Sequence, residues 1–277
     1  MPYQNTPNQY DWLAPYALAA VGFWLLFMIF RLIETWYANK QNRLLYRDIL
    51  IFRKLSRKQK EHLSQNFSFY NQLDAKQKRR FEHRVARFIG VKEFVGREGL
   101  EVTQEMKLLI AAVGCMLTFG RKHYQYRLVD YILVYPEPFY SHMNDAYHKG
   151  EFNPMQKALV LSWKDFEQGY HITDDNLNLG IHEFMHALQL DARQSNDIDA
   201  LRFERQFQKI LHRLTDPSLK QRLDEVKYFR AYAFTNQYEF MAVLAEYFFE
   251  SPADFRSNFP KVYAHTRTLL NFDFAHY

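Results

Sequence analysis

The sequence predicts a mostly helical α+β domain with a small sheet, preceded by one N-terminal transmembrane helix. Three observations carry this. Residues 13–30, LAPYALAAVGFWLLFMIF, run eighteen positions without a charge. Most of the remaining chain places apolar residues at helical spacing, with capping residues ahead and glycine or proline behind. Two runs, LVDYILVY (128–135) and ALVLSW (158–163), are instead β-branched, aromatic or continuously apolar, as strands are. Composition agrees. The chain is 48% hydrophobic, 17% aromatic and 24% charged, enough to build a sizeable core and too apolar for a disordered protein. The single cysteine, Cys115, excludes an intramolecular disulfide framework and is compatible with a reducing compartment.

Taken in order, residues 1–11 are polar, carry Pro2 and Pro7, and read as a short tail. Residues 12–33 read as the span, with Trp12, Tyr16, Trp36 and Tyr37 at interfacial positions. A cleaved signal peptide needs a positive start, and residues 1–11 contain no Lys or Arg. After the span come Arg31, Lys40, Arg43, Arg47, Arg53, Lys54, Arg57, Lys58 and Lys60 against Glu34, Asp48 and Glu61. Positive charge stays inside. The expectation is therefore a single-pass protein of the inner cell membrane, with its N-terminus outside and its larger part in the cytoplasm. Residues 34–87 read as a basic, amphipathic helical connector. The same basic run lacks a nucleic-acid recognition fold, so no nucleic-acid partner is expected.

Beyond it, residues 73–90 are spaced as a helix, and 94–102 as a loop or short strand. Thr103 is a good N-cap for a helix ending near Gly120, and Gly114 inside it implies close packing against another element. Residues 136–154 read as loop. Residues 198–213 and 217–230 read as helices around the turn at 215–218. A further helix starts at Thr235 or Asn236 and stops before Pro252, and 253–270 reads as a last helix.

Between strand and helices lies NLNLGIHEFMHALQLD (176–191). On a helix, His182 and His186 stand one above the other, able to offer two imidazoles to one metal ion. Glu183 sits about 100° round, beside the metal, where a general base acting on water belongs. Two imidazoles in so apolar a helix need partners, which argues against a solvated face. A catalytic zinc takes three protein ligands, and the third usually comes from another element. YAFTNQYEFMAVLAEYFFESP (232–252) offers Glu239 and Glu246. Asn236-x-x-Glu239 also has capping-box spacing, which would turn Glu239 back on its own helix. Glu246 reads as a partner to a ligand or as an exposed acid. Tyr232 is one of 19 tyrosines, and packing is its default role.

Several blocks resemble the Mlc titration factor A family of zinc-dependent peptidases. They are FVGREGLEVTQEMKLLIAAVGCML (94–117), YILVYPEPF (131–139), LVLSW (159–163), LGIHEFMHALQLD (179–191) and residues 232–252. The end of the chain is also similar to the catalytic domain of anthrax lethal factor. The resemblance implies a gluzincin-type zincin domain over 88–277 and one Zn2+ per chain. It implies His182, His186 and Glu239 as zinc ligands, Glu183 as general base and acid, and Tyr232, seven residues before Glu239, as a donor to the reacting carbonyl. Many members continue Lys-Leu-Asp after the second histidine. Here the residues are Ala187-Leu188-Gln189, and the first acid is Asp191.

The expected function is that of a membrane-anchored zinc metallopeptidase, hydrolysing peptide bonds in a peptide or protein substrate by zinc-activated water. The strand at 158–163 is an expected edge for an extended substrate to join. The alternative is a membrane-tethered regulatory protein of the same fold that sequesters a partner. A purely structural zinc would need four protein ligands and no adjacent base.

Overall fold

The computed structural model describes residues 11–41, 53–141, 145–171 and 175–277. The expected tail, save Asp11, and residues 42–52 of the basic stretch lie outside the described residues. The chain divides into two compact units, Met1–Tyr46 and Arg47–Tyr277.

In the first unit, a turn of 3-10 helix at Asp11–Leu13 leads into helix α1, Ala14–Gln41. Residues Ala14–Tyr37 are long and apolar enough to cross a membrane, with a mean hydropathy of 2.1 and none of the window buried. Twenty-four helical residues span about 36 Å, against about 30 Å of hydrocarbon. The first acid of the helix, Glu34, is paired at 3.1 Å with Arg31 one turn earlier.

The second unit begins with helices α2 (Arg57–Asn66), α3 (Ser68–Gln72) and α4 (Ala75–Val91), followed by strand β1 (Glu93–Gly96) and helix α5 (Gln104–Leu117). Strands β2 (Tyr131–Tyr135), β3 (Phe139–Ser141), β4 (Ala146–His148), β5 (Gly150–Asn153) and β6 (Ala158–Ser162) come next. Helices α6 (Trp163–His171), α7 (Leu179–Arg193), α8 (Ile198–Leu214) and α9 (Pro217–Val226) follow. A 3-10 turn at Ala231–Phe234 then leads to α10 (Gln237–Glu250), α11 (Pro252–Asn258) and α12 (Pro260–Leu269). The unit is mostly helical with a small sheet.

That sheet runs β1-β2-β6-β5. The first three strands are parallel, with Ile132 opposite Leu159, and β5 closes the sheet antiparallel, with Glu151 opposite Val160. The strand expected at an edge, 158–163, is therefore interior. Its five residues are all buried, the pattern of a strand covered on both faces. The edges are β1 and β5, the latter in a stretch read as loop. Two further differences have local causes. Residues 253–270 form two helices because Pro260 disfavours a helical Phe259. Lys227, in the left-handed region at φ 46°, ends α9 well before residue 230.

Aromatic rings fill the core. Phe69 meets Phe81, Phe119 and Phe272 at centroid distances of 5.5, 5.6 and 5.8 Å, so α3 and α4 share one core with α5 and the C-terminus. Thr103 caps α5 as expected, accepting from Met106 N. Arg84, buried on α4, reaches the far end of α5 and donates to the carbonyls of Thr118, Phe119 and Arg121. Helix α5 packs on α7 through Gly114, where an added Cβ would stand 3.0 Å from the Phe184 ring. Phe184 is fully buried, between Phe88 and Tyr126, and such burial stabilises by roughly 2–3 kcal/mol. This locks the orientation of α7.

Cys115, one residue on, is fully buried, and burial pushes its thiol up to about 12 against the opposing charge of Arg84. The native protein is therefore expected not to react with a disulfide reagent at pH 8, and to titrate one thiol per chain in denaturant, read by absorbance.

Candidate metal centre

Helix α7 starts at Asn178, whose side-chain oxygen accepts from Ile181 N at 3.0 Å. Asn178 Nδ2 also donates to Gly169 O at 2.9 Å and to Glu250 Oε1 at 3.0 Å. The cap thus ties the start of α7 to α6 and α10. Gly180 lets the Phe166 ring lie where a Cβ would come within 2.5 Å. With the helix so fixed, His182 and His186 face α10.

Across from them, Asn236 caps α10, its side-chain oxygen accepting from Tyr238 N and Glu239 N. The Glu239 carboxylate turns away from that cap to the histidines. Its Oε2 lies 2.9 Å from His182 Nε2, its Oε1 3.4 Å from His186 Nε2, and the two Nε2 atoms are 3.1 Å apart. One ligand atom from each of His182, His186 and Glu239 falls within 4.8 Å of the others.

The chemistry of this donor set fits a metal ion. His182 Nδ1 lies 2.7 Å from Glu246 Oε1, so its proton is donated there and Nε2 keeps a lone pair. That lone pair faces a carboxylate oxygen and a second imidazole nitrogen. Three electron-pair donors aimed at one point repel unless a cation lies between them. Ligand bonds of 2.0–2.1 Å in a tetrahedron give edges of about 3.3 Å, and the three separations bracket that value. Burial works against protonation of His182, but Glu239 and Glu246 outweigh it and hold the imidazole at about 10. The same histidines hold Glu239 far below the usual carboxylate range, against its burial.

Glu246 was read as a ligand's partner or an exposed acid, and it is buried against His182 rather than exposed. Only 1% exposed, it takes four donors. His182 Nδ1 and Arg230 Nη2 meet Oε1, while Asn178 N and Arg230 Nη1 meet Oε2, at 2.6–3.0 Å. One turn on, Glu250 is pushed up to about 8, mainly by burial, opposed by the Asn178 hydrogen bond. Asn178 and Arg230 were not singled out in the sequence. Asn178 carried a signal, as a capping residue just ahead of the apolar run.

Glu183 is buried beside the histidines, and its carboxyl is raised from the ordinary range by burial, opposed by His182 and His186. It is pressed against β5. A Cβ on Gly150 would lie 2.6 Å from Glu183 Cγ and 2.7 Å from its Oε1, so this position has room only for glycine. Tyr232 stands half-exposed in the 3-10 turn, its ring centroid 6.0 Å from that of His182. Partial burial and the neighbouring carboxylates of Glu239 and Glu183 raise its hydroxyl well above the usual phenol range, so it is a donor at neutral pH. Asp191 lies apart from this group, accepting from Arg127 Nε at 2.8 Å. An open cleft of about 420 Å³ connects the site to solvent, lined by Tyr147, His148, Leu177, Glu183, Arg230 and Tyr232 among others.

Glu246→Gln is expected to keep the fold and weaken zinc binding about 10- to 100-fold, measured by competition with a chromophoric chelator.

Comparison with known proteins agrees with this geometry. The sequence profile described as glucose-regulated metallo-peptidase M90 matches residues 29–270. The Mlc titration factor A of Yersinia pestis is 27% identical over 224 residues, covering 74% of this chain and 81% of that protein. An uncharacterised protein of Synechocystis is 27% identical over 223 residues, covering 73% of this chain and 78% of its own length. With a profile match over most of its length and His182, His186 and Glu239 gathered within ligating distance of one another, the chain belongs to the M90 metallopeptidase family, alongside Mlc titration factor A.

Proposed function

We propose that this protein is a membrane-anchored zinc peptidase, with His182, His186 and Glu239 holding one zinc ion. What carries the reading is three converging electron-pair donors with a buried carboxyl, Glu183, beside them at the floor of an open cleft. Two imidazoles and a carboxylate suit zinc. When bound, it supplies Lewis acidity, polarising a carbonyl and acidifying water.

The chain's own residues do the rest. Glu183 takes a proton from the attacking water as its oxygen adds to the scissile carbonyl carbon. Glu183 then delivers that proton to the amine nitrogen as the C–N bond breaks. Its raised affinity for a proton suits it to hold one between the two steps. Tyr232 donates its hydroxyl hydrogen to the oxyanion as charge develops there. Arg230 neutralises Glu246, so that His182 keeps the tautomer that leaves Nε2 free. The substrate backbone joins the open edge of β5, which runs past Glu183 at Gly150. Helix α1 anchors the chain over residues 12–33, and the peptidase domain assigned to residues 88–277 shares its core with α3 and α4 ahead of it.

The test uses the full-length protein in detergent with a mixed peptide library, and counts bound zinc. Wild type is expected to bind one zinc and cleave. Glu183→Gln should keep the zinc and lose activity by about 10²–10⁴-fold, and Tyr232→Phe by about 10²–10³-fold. Zinc bound without cleavage by wild type would favour a tethered protein that sequesters a partner. No zinc bound would refute the site.

The asymmetry of basic residues around α1 places the larger unit in the cytoplasm under this reading. A C-terminal alkaline phosphatase fusion should then stay inactive while a green fluorescent protein fusion fluoresces, and the reverse result would invert the topology.

A further inference from the structure

A depression larger than the metal-site cleft lies elsewhere on the second unit. It lies along α8 and α12, measures about 1080 Å³, and is lined by Arg205, Lys209, His212, Arg213 and His265. A second depression of about 320 Å³ adjoins it, sharing Arg213 and Asp216 and adding Arg222 and Lys261. We infer that this continuous basic groove is a docking site for an acidic peptide segment.

Spacing makes the groove. Arg205, Lys209 and Arg213 recur every four residues, so they form one row along α8 about 12 Å long. Helix α12 packs against α8 and supplies the other wall, pinned where His265 Nδ1 meets Gln206 Oε1 at 3.0 Å. Among the described residues no carboxylate lies within ion-pairing distance of Arg205, Lys209, Arg213, Arg222 or Lys261. The one acid in the lining, Asp216, is occupied as the cap of α9, accepting from Ser218 N and Oγ. The cations crowd one another: burial lowers the proton affinity of His265, and Lys209 and Arg213 lower it further. Cations near a helix C-terminus offset its dipole, which gives His212 and Arg213 a local reason to be there. That effect fades within a turn, so it leaves Arg205 and Lys209 unexplained.

Shape and lining choose the ligand. Two joined depressions suit an extended chain better than a single small anion. The larger one presents no Phe, Tyr or Trp ring and only the two imidazoles of His212 and His265, unlike the aromatic-lined grooves that hold single-stranded nucleic acid. Its cations line a concave surface between two helices, where a flat bilayer makes poor contact. An extended peptide carrying several Asp or Glu residues meets these cations in succession. None of these residues lines the metal-site cleft, so the inference stands independently of the peptidase reading.

The experiment is fluorescence anisotropy of a fluorescein-labelled, twelve-residue peptide of alternating Glu and Gly, titrated with the full-length protein in detergent at low and physiological salt. Binding that weakens with salt is expected. Arg205→Glu with Lys209→Glu should weaken it about tenfold or more, and the milder Arg205→Gln with Lys209→Gln by less. Glu183→Gln, in the metal-site cleft, should leave it unchanged. Unaltered thermal unfolding of the Gln pair controls for folding. Failure of the acidic peptide to bind, equal binding of a Lys-Gly peptide, or undiminished binding by both pairs would overturn the inference. So would tighter binding of oligo(dT) lost in the same variants, which would make the groove a nucleic-acid surface.

Discussion

One buried carboxylate organises the centre of this protein. Glu246 has almost no contact with solvent, and a bare charge there would be costly by several kcal/mol. It is tolerated because four donors from three places in the chain converge on it: the first histidine of α7, the backbone ahead of α7, and both ends of the Arg230 fork. Satisfying Glu246 therefore sets the position of α7 against α10, and with it the distance between His182 and Glu239. Removing any one donor leaves a charged acceptor partly unpaired in the interior, where the penalty is largest.

A second constraint acts from the sheet side. Glu183 lies against β5 in the space that a side chain at Gly150 would take. From behind, Gly114 and Gly180 allow the rings of Phe184 and Phe166 to press α7 into place. The helix is thus held by glycines on its neighbours and on itself, each chosen for the side chain it lacks. His182, Glu183 and His186 stand on this held helix, while Tyr147, Leu177 and Tyr232 at the mouth are open to solvent.

Much of this was legible in the sequence where the signal is local. The pairing of His182 with His186 follows from one helical turn, and the caps at Thr103 and Asn236 follow from residue type. Gly114 announced a close contact but not its partner. Glu239 could not be separated from a capping residue by spacing alone. It became a ligand candidate through family resemblance, because 57 − the gap from 182 to 239 − is not a period of any helix or strand. Arg230 carried no local mark, since its role is to satisfy a carboxylate sixteen residues away. The strand β5 was missed because GEFN is too short for a pattern. The interior place of β6 was misread as an edge, although its unbroken apolar run, unlike the alternating burial of β2, is the mark of a strand covered on both faces.

The donor set at the metal centre is two imidazoles and a carboxylate, with no sulfur, and the chain's one thiol is sealed inside α5. The donor set therefore presents no sulfur for peroxide to attack. Control by oxidation, open to thiolate-ligated zinc sites, is closed to this one. Acid is the condition to which it is exposed, because protons compete with the ion for the same nitrogen and oxygen lone pairs. A metal held by these donors would be indifferent to thiol oxidants and would be released by acid.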